Sequence, residues 1–346
     1  MMRNIRIAVT LFVITLLLAI GAAEAGEVDW SGIKGKGMTL FYPGFTSWEF
    51  LLSDDHRLGG KNIAVGKKEC THCHLSKKGE LDLKANEIAE GRIKMKRSQK
   101  PFENAPIPGK KGTLIADIKA AYDLENLYLR IEWGSVGAGW GSKGNPSNEN
   151  PVDRVSVQVN KKSDPFKRYG CFVACHEDLN GMPQSPAKNE VEKHPYYSAR
   201  SRDDVRLYAY YTRDHGWDKT KERPLLDTLA KTHGITDLWS VELFDGGSKA
   251  RDGWVFEDRD WDEKTNIEAR GTWTPMNMGR YATVIKKPLK TPDPNDIELA
   301  EGDVFSMAIA IHDNKAVKRK HYVSFPITVG LGQKADIIAE KLEGKQ

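Results

Sequence analysis

"GTLIADIKAAYDLENLYLRIEW", residues 112–133, decides the fold class. Within it Leu127, Leu129, Ile131 and Trp133 alternate with Tyr128, Arg130 and Glu132. Successive side chains of a strand point to opposite faces, so this period of two marks a strand buried on one face. The alternation returns at Val155–Val159, Val205–Thr212, Leu238–Phe244, Arg280–Ile285, Val304–His312 and His321–Ile327, between Asp-Gly, Gly-Gly and proline-rich breaks. Many short strands joined by turns predict a mainly β chain folded as an antiparallel sandwich or barrel. Helical periodicity is scarce, and residues 335–345 are expected to form one short C-terminal helix.

The first residues set the compartment. Arg3 and Arg6 precede an apolar run, Ile7–Ile20, and then small residues ending Ala23-Glu24-Ala25. That order reads as a secretory signal with an A-x-A cleavage site, and the run is too short to span a bilayer comfortably. Residues 1–25 are therefore expected to be removed, leaving a soluble periplasmic chain that begins near Gly26. Cleavage takes away two arginines and one glutamate, so the formal net charge goes from +4 to +3. So small a charge on so long a chain gives no reason to invoke nucleic acid or an anionic membrane. No later stretch is apolar for long enough to predict a transmembrane helix.

All four cysteines fall in two pairs, each followed at once by a histidine. In "KKECTHCHLSKK" they are Cys70, Cys73 and His74; in "YGCFVACHED" they are Cys171, Cys175 and His176. The first spacing, C-x-x-C-H, reads as covalent attachment of a c-type haem: each thiol forms a thioether to one vinyl group, and the adjacent histidine is held beneath the iron. A disulfide is the alternative in an oxidising compartment, and it would leave His74 without a role. Zinc would need two further ligands at knuckle spacing, and the next pair lies about a hundred residues on. In the second motif three residues, Phe172, Val173 and Ala174, separate the thiols. The Cys-His adjacency is kept there, and a loop can bulge outward without moving either sulfur far. The second motif is read as another covalent haem site, with a disulfide as its alternative.

Residues 26–105, rich in Gly and Lys, are expected to form a small irregular haem c segment ending in a linker, Lys94–Pro108, and residues 106–346 the β-sandwich domain. The glycine-rich "GAGWGSKG", Gly137–Gly144, lacks the G-K-[ST] ending of a phosphate loop and no helical pattern follows it, so it is read as a mobile loop. No hydrolase, kinase or zinc-protease signature is present in the sequence.

The segments "IKAAYDLENLYLRIEW", "DRVSVQVN", "YGCFVACHEDLNGMP", "TDLWSVELF" and "KHYVSFPITVGL", in this order over most of residues 112–332, resemble a known family. It is the haem-binding domain shared by the gamma subunit of ethylbenzene dehydrogenase and related periplasmic cytochromes. The resemblance implies a β-sandwich gripping one haem and a role in electron transfer, often beside a molybdenum oxidoreductase. The stretch "SWEFLLSDDHRLGGKNIAVGKKECTHCH" is similar to the extra haem segment of c-type members. One departure matters: in the ethylbenzene dehydrogenase subunit the haem is b-type and held by methionine and lysine, whereas this chain has Cys171, Cys175 and His176 near the methionine's place.

An electron-transfer haem takes a sixth ligand from His, Met or Lys. For the first haem the candidate is His56, far enough upstream of Cys70 to fold over the opposite face and matching a histidine in c-type relatives; a solvated histidine is the alternative. His72, between the cysteines, is expected to point outward. For the second haem His321 shares a strand face with Val323, Phe325 and Ile327, and the resembling family also draws its distal residue from this strand. His312, beside the small Ala308 and Ala310, and Met182 are rivals, with Lys318 and Lys320 further off. The expected protein is a periplasmic dihaem cytochrome c with two covalent haems, carrying single electrons to and from a redox partner rather than acting as an enzyme. That partner is a molybdenum oxidoreductase or another cytochrome. A haem-based sensor or gas-binding module is the alternative.

Overall fold

The computed structural model describes residues 28–42, 51–52, 56, 58–75, 83–92, 108–137, 140, 153–175, 186–203, 205, 207–214, 216–244, 247–274, 279–313 and 321–343. The signal segment, most of the linker and of the glycine-rich loop, and His176, Met182, Lys318 and Lys320 lie outside the described residues. Residues up to Gly32 cluster apart from the compact unit Ile33–Gln346. In that short stretch the Ser31 N–H donates to the Asp29 carboxylate.

The larger unit is built on β1 (Lys36–Phe41), β2 (Thr113–Tyr122), β3 (Asn126–Gly134), β4 (Asp153–Asn160), β5 (Ala174–Cys175), β6 (Tyr208–Ala209), β7 (Thr236–Phe244) and β8 (Gly247–Val255). It continues with β9 (Arg259–Trp261), β10 (Glu268–Thr274), β11 (Arg280–Pro288), β12 (Val304–His312), β13 (Tyr322–Val323), β14 (Ile327–Leu331) and β15 (Ile337–Lys341). One mainly antiparallel sheet runs β10-β11-β3-β2-β1-β13-β12-β4-β7-β8-β9. A second path closes its middle, because β15 pairs in parallel with β2 and with β14, and β14 pairs with β12.

The opening stretch forms the β2–β3 hairpin, with Tyr122 opposite Leu127 and Ala116 opposite Trp133. Its turn is fixed by Asp123, whose carboxylate accepts from the Glu125 and Asn126 N–H groups and from the Tyr128 hydroxyl. Leu127, Leu129, Ile131 and Trp133 face one core shared with Val155, Val157 and Val159 of β4, Trp239 and Val241 of β7, and Ile309 and Ile311 of β12. Strands from both ends of the sheet thus bury their apolar faces against each other, and each full burial is worth roughly 1.5–3 kcal/mol.

Two local expectations are corrected. Among the described residues, 335–343 form no helix; β15 lies there as a strand, with Ile337 and Ala339 buried in the core and Ile338 between them 57% exposed. The open edge between β2 and β14 accepts that alternation, and tertiary pairing overrides local propensity. Among the described residues of 205–212 the strand is the short β6, which passes into a 3-10 turn at Tyr210–Thr212. Proline at 326, which lacks an N–H, also separates β13 from β14.

A charged group sits inside this core. Lys287 lies in phase with Tyr281 and Ile285 on the buried face of β11, and its side chain is 1% exposed. Its ammonium is 2.5 Å from Asp296, 3.6 Å from Asp252 and 3.9 Å from Asp237. Burial pushes the Asp252 carboxyl up to about 6, and it lifts Asp237 further, against the pull of Lys287. Burial alone would lower Lys287, but Asp237 and Asp252 raise it above the ordinary lysine value.

Candidate functional site

The first cysteine pair lies on the one-turn helix Cys70–His74, reached from the helix Leu58–Ala64 through Gly66, whose φ of +65° suits glycine. This loop is held from far along the chain. The Arg168 guanidinium donates to the Gly66 carbonyl at 2.7 Å and the Tyr169 hydroxyl to the Lys68 carbonyl at 2.9 Å. Both residues belong to the helix Asp164–Tyr169, capped by the Ser163 hydroxyl and ended by Gly170 at φ +56°. That helix leads directly into Cys171, so one element braces the first motif and launches the second.

Between these pieces lies a cleft of about 190 Å³ whose wall includes His56, Cys70, Cys73, His74, Phe172 and Phe325. The His56 and His74 rings are 4° from parallel with centres 6.3 Å apart. Two metal–imidazole bonds of about 2.0 Å each, plus the distance from ring centre to nitrogen, give roughly that separation across one shared ion. His56 Nδ1 donates to the Leu51 carbonyl at 2.9 Å, which puts the lone pair on Nε2, the tautomer that a ligating histidine needs. The site therefore fits a haem: two thiols, a histidine beside them, a facing histidine at ligand separation and a largely apolar wall.

Cys70, Cys73 and Cys171 are unbridged. Burial pushes the Cys70 thiol up to about 12, and the Cys171 thiol likewise, with Cys70 close enough to add to the effect. His72 is exposed, pointing away from the cleft wall.

At the second motif the structure describes Cys171 in full and Cys175 as a strand residue paired with Tyr208. Ala308 and Pro326 approach Gly170 so closely that a Cβ there would lie 3.0–3.3 Å from them. Ala310, Val323 and Phe325 pack with Cys171 and Phe172. His312 and His321 stand beside that face as cross-strand neighbours, their rings 4.4 Å apart and 21° from parallel. A pair stacked that closely leaves no room for a metal between its rings. The face predicted for His321 holds for Val323 and Phe325, while Ile327, beyond the proline break, packs on the main core instead.

Sequence reading missed four contributors: Leu51, Gly59, the Arg168–Tyr169 brace and Phe172. Only Gly59 had a local signal, a Gly-Gly pair inside an otherwise helical stretch. A Cβ at Gly59 would lie 2.5 Å from the His56 ring. Gly59→Ala is accordingly expected to push His56 off its position and produce a high-spin fraction in the haem-loaded protein, measured by electron paramagnetic resonance; a fully low-spin spectrum would contradict this.

Residues 90–324 match a family model described as ethylbenzene dehydrogenase. The chain is 27% identical over 329 residues to cytochrome c-552 of Stutzerimonas stutzeri, with 93% of each chain covered. It is 25% identical over 305 residues to cytochrome c-551 of Rhodocyclus tenuis, covering 88% of this chain and 95% of that relative. A family 9 carbohydrate-binding module from Caldicellulosiruptor kristjanssonii, solved with cellotriose, superposes at TM-score 0.26 and 8% identity over 62% of this chain and 65% of that one, too loosely to establish a shared fold. The family match takes in β2 to β13, the strands that carry the core and the second motif, and the chain belongs to the ethylbenzene dehydrogenase family.

Proposed function

We propose that this chain is a periplasmic dihaem cytochrome c that carries single electrons. The observation that carries the reading is the His56–His74 pair, parallel and at ligand separation, beside Cys70 and Cys73. When bound, a haem supplies one-electron chemistry; the chain attaches it, holds it between two imidazoles and excludes water with Phe41, Leu51, Phe172 and Phe325. Histidine on both faces favours lower potentials than His/Met ligation. It also leaves no open position, which speaks against a gas sensor. Intact mass should exceed that of the chain cleaved after Ala25 by two haems, and the reduced spectrum should not respond to carbon monoxide. A gain of one haem, or a carbon monoxide shift, would overturn the corresponding part.

The second haem is read as bound by Cys171 and Cys175, with His176 and His321 on its two sides. The stacked His312 then orients His321 rather than ligating. In His321→Ala one haem is expected to turn high-spin, while His312→Ala keeps both low-spin with a shifted signal; the reverse pattern would exchange the two roles.

The reading extends to the partner, an acidic redox protein docking over the first cleft. Leu58, Val65 and Leu75 beside the first motif are 78%, 57% and 44% exposed, and Lys61, Lys67 and Lys84 around them are exposed too. Residues 56–84 hold seven basic and three acidic residues, a net +4 that equals the charge of the whole chain. Such a patch steers an oppositely charged partner and loses its effect in salt. At low salt, Lys61→Glu/Lys67→Glu is expected to slow electron exchange with an acidic redox protein by roughly tenfold, a difference that vanishes at high salt. The family match supports a molybdenum oxidoreductase as that partner; co-purification from the native source tests it, and a protein that runs alone while exchanging electrons with a small soluble cytochrome counts against it.

A further inference from the structure

Phe172 belongs by sequence to the second motif, as the first of the three residues between Cys171 and Cys175, yet its side chain lines the first cleft with Cys70, Cys73 and His74. The local backbone explains how. Gly170 takes φ +56°, and Gly170–Val173 forms a 3-10 turn that sends Val173, 2% exposed, into the apolar cluster around Tyr169 and Tyr197. Phe172 stays at that cluster's edge, where its ring stacks on Phe41 at 6.2 Å and 16°, and Phe41 packs against Phe325 at 5.0 Å. Cys70, Cys171 and Phe172 border one apolar cluster. A two-residue spacing would remove one side chain from this turn, and the three-residue spacing supplies the one that faces the neighbouring site.

We propose that Phe172 is a wall common to both haem sites, so that the state of either site is felt at the other. The inference rests on the dihaem reading above and concerns a residue that ligates neither iron. The ring packs in the same apolar clusters as Cys171 and also lines the cleft of the first motif, among side chains that screen electrostatic effects less than bulk water does. Removing the ring therefore alters the first site through a change made inside the second motif.

The test uses the full-length haem-loaded protein. His56→Ala first identifies which low-spin electron paramagnetic resonance signal belongs to the first haem. Phe172→Leu is expected to keep two haems by mass and yet move that signal and the first haem's midpoint, while Phe172→Tyr, which keeps the ring, leaves both at their wild-type positions. Two haems with the first haem's signal unmoved in Phe172→Leu would overturn the proposal and leave the dihaem reading standing. One haem by mass in the wild-type protein would overturn the dihaem reading itself and the proposal with it. The wild type gives a readout that needs no variant: its redox titration should depart from the sum of two independent one-electron curves, and independent curves would overturn the shared wall.

Discussion

Cys70→Ser/Cys73→Ser is expected to lower the haem content by one group per chain, with the loss confined to the first site. Serine cannot form the thioethers, and His74 alone must then hold the group against His56. The cost goes beyond the cofactor. With no haem, the apolar wall formed by Phe41, Leu51, Ile63 and Phe325 meets water in a cleft of about 190 Å³. Residual empty volume destabilises surrounding structure, and the small helices here have little packing of their own with which to close the gap. Mass spectrometry gives the count, and limited proteolysis reports loosening around residues 58–75. Two haems retained in the double variant would exclude covalent attachment at this pair.

Lys287→Met is expected to be the most destabilising single change on the sheet. It leaves Asp237, Asp252 and Asp296, whose carboxylates lie within 4.8 Å of one another, without their central cation. Removing one partner of a buried ion pair costs about 3–5 kcal/mol, which corresponds to a fall in Tm on the order of 10 °C. Acid should rescue the variant, because protonated carboxyls no longer repel.

The wild type should show a milder trend of the same sign. Asp252 and Asp262 have folded-state values raised to about 6 and about 7, chiefly by burial, with neighbouring carboxylates adding to it. The native state binds their protons more tightly than the unfolded chain does. Their contribution to stability is thus complete below the ordinary aspartate range near 4 and is lost as pH rises through 6 to 7. Thermal unfolding at a series of pH values checks both statements; a Lys287→Met protein equally unstable at pH 4.5 and pH 7.5 would refute the electrostatic account.

The fold class was legible because β3 obeys a strict period of two, and Leu127, Leu129, Ile131 and Trp133 occupy the core as that period requires. The grouping of Cys70, Cys73 and His74 on one cleft wall was legible for a similar reason: five consecutive residues form a single helical turn. β15 was not legible, since the slot it fills is made by β2 and β14, and nothing within Ile337–Lys341 announces that slot. Lys287 did leave a trace, a lysine in phase with Tyr281 and Ile285, but its aspartates come from β7, β8 and the segment after β11. The brace on the first site had no trace at all, because Arg168 and Gly66 are about a hundred residues apart.

That distance has a consequence for how the molecule is made. The chain emerges amino end first, so the residues that wall the first cleft arrive in two instalments, and Phe172 and Phe325 come last. The helix Asp164–Tyr169 must reach back to Gly66 and Lys68 before the hydrogen bonds that hold the Cys70–His74 loop can form. Contacts between residues so far apart in sequence form late, because loop closure must be met before they add any stability. The first motif's surroundings are thus completed only by residues about a hundred positions further along the chain.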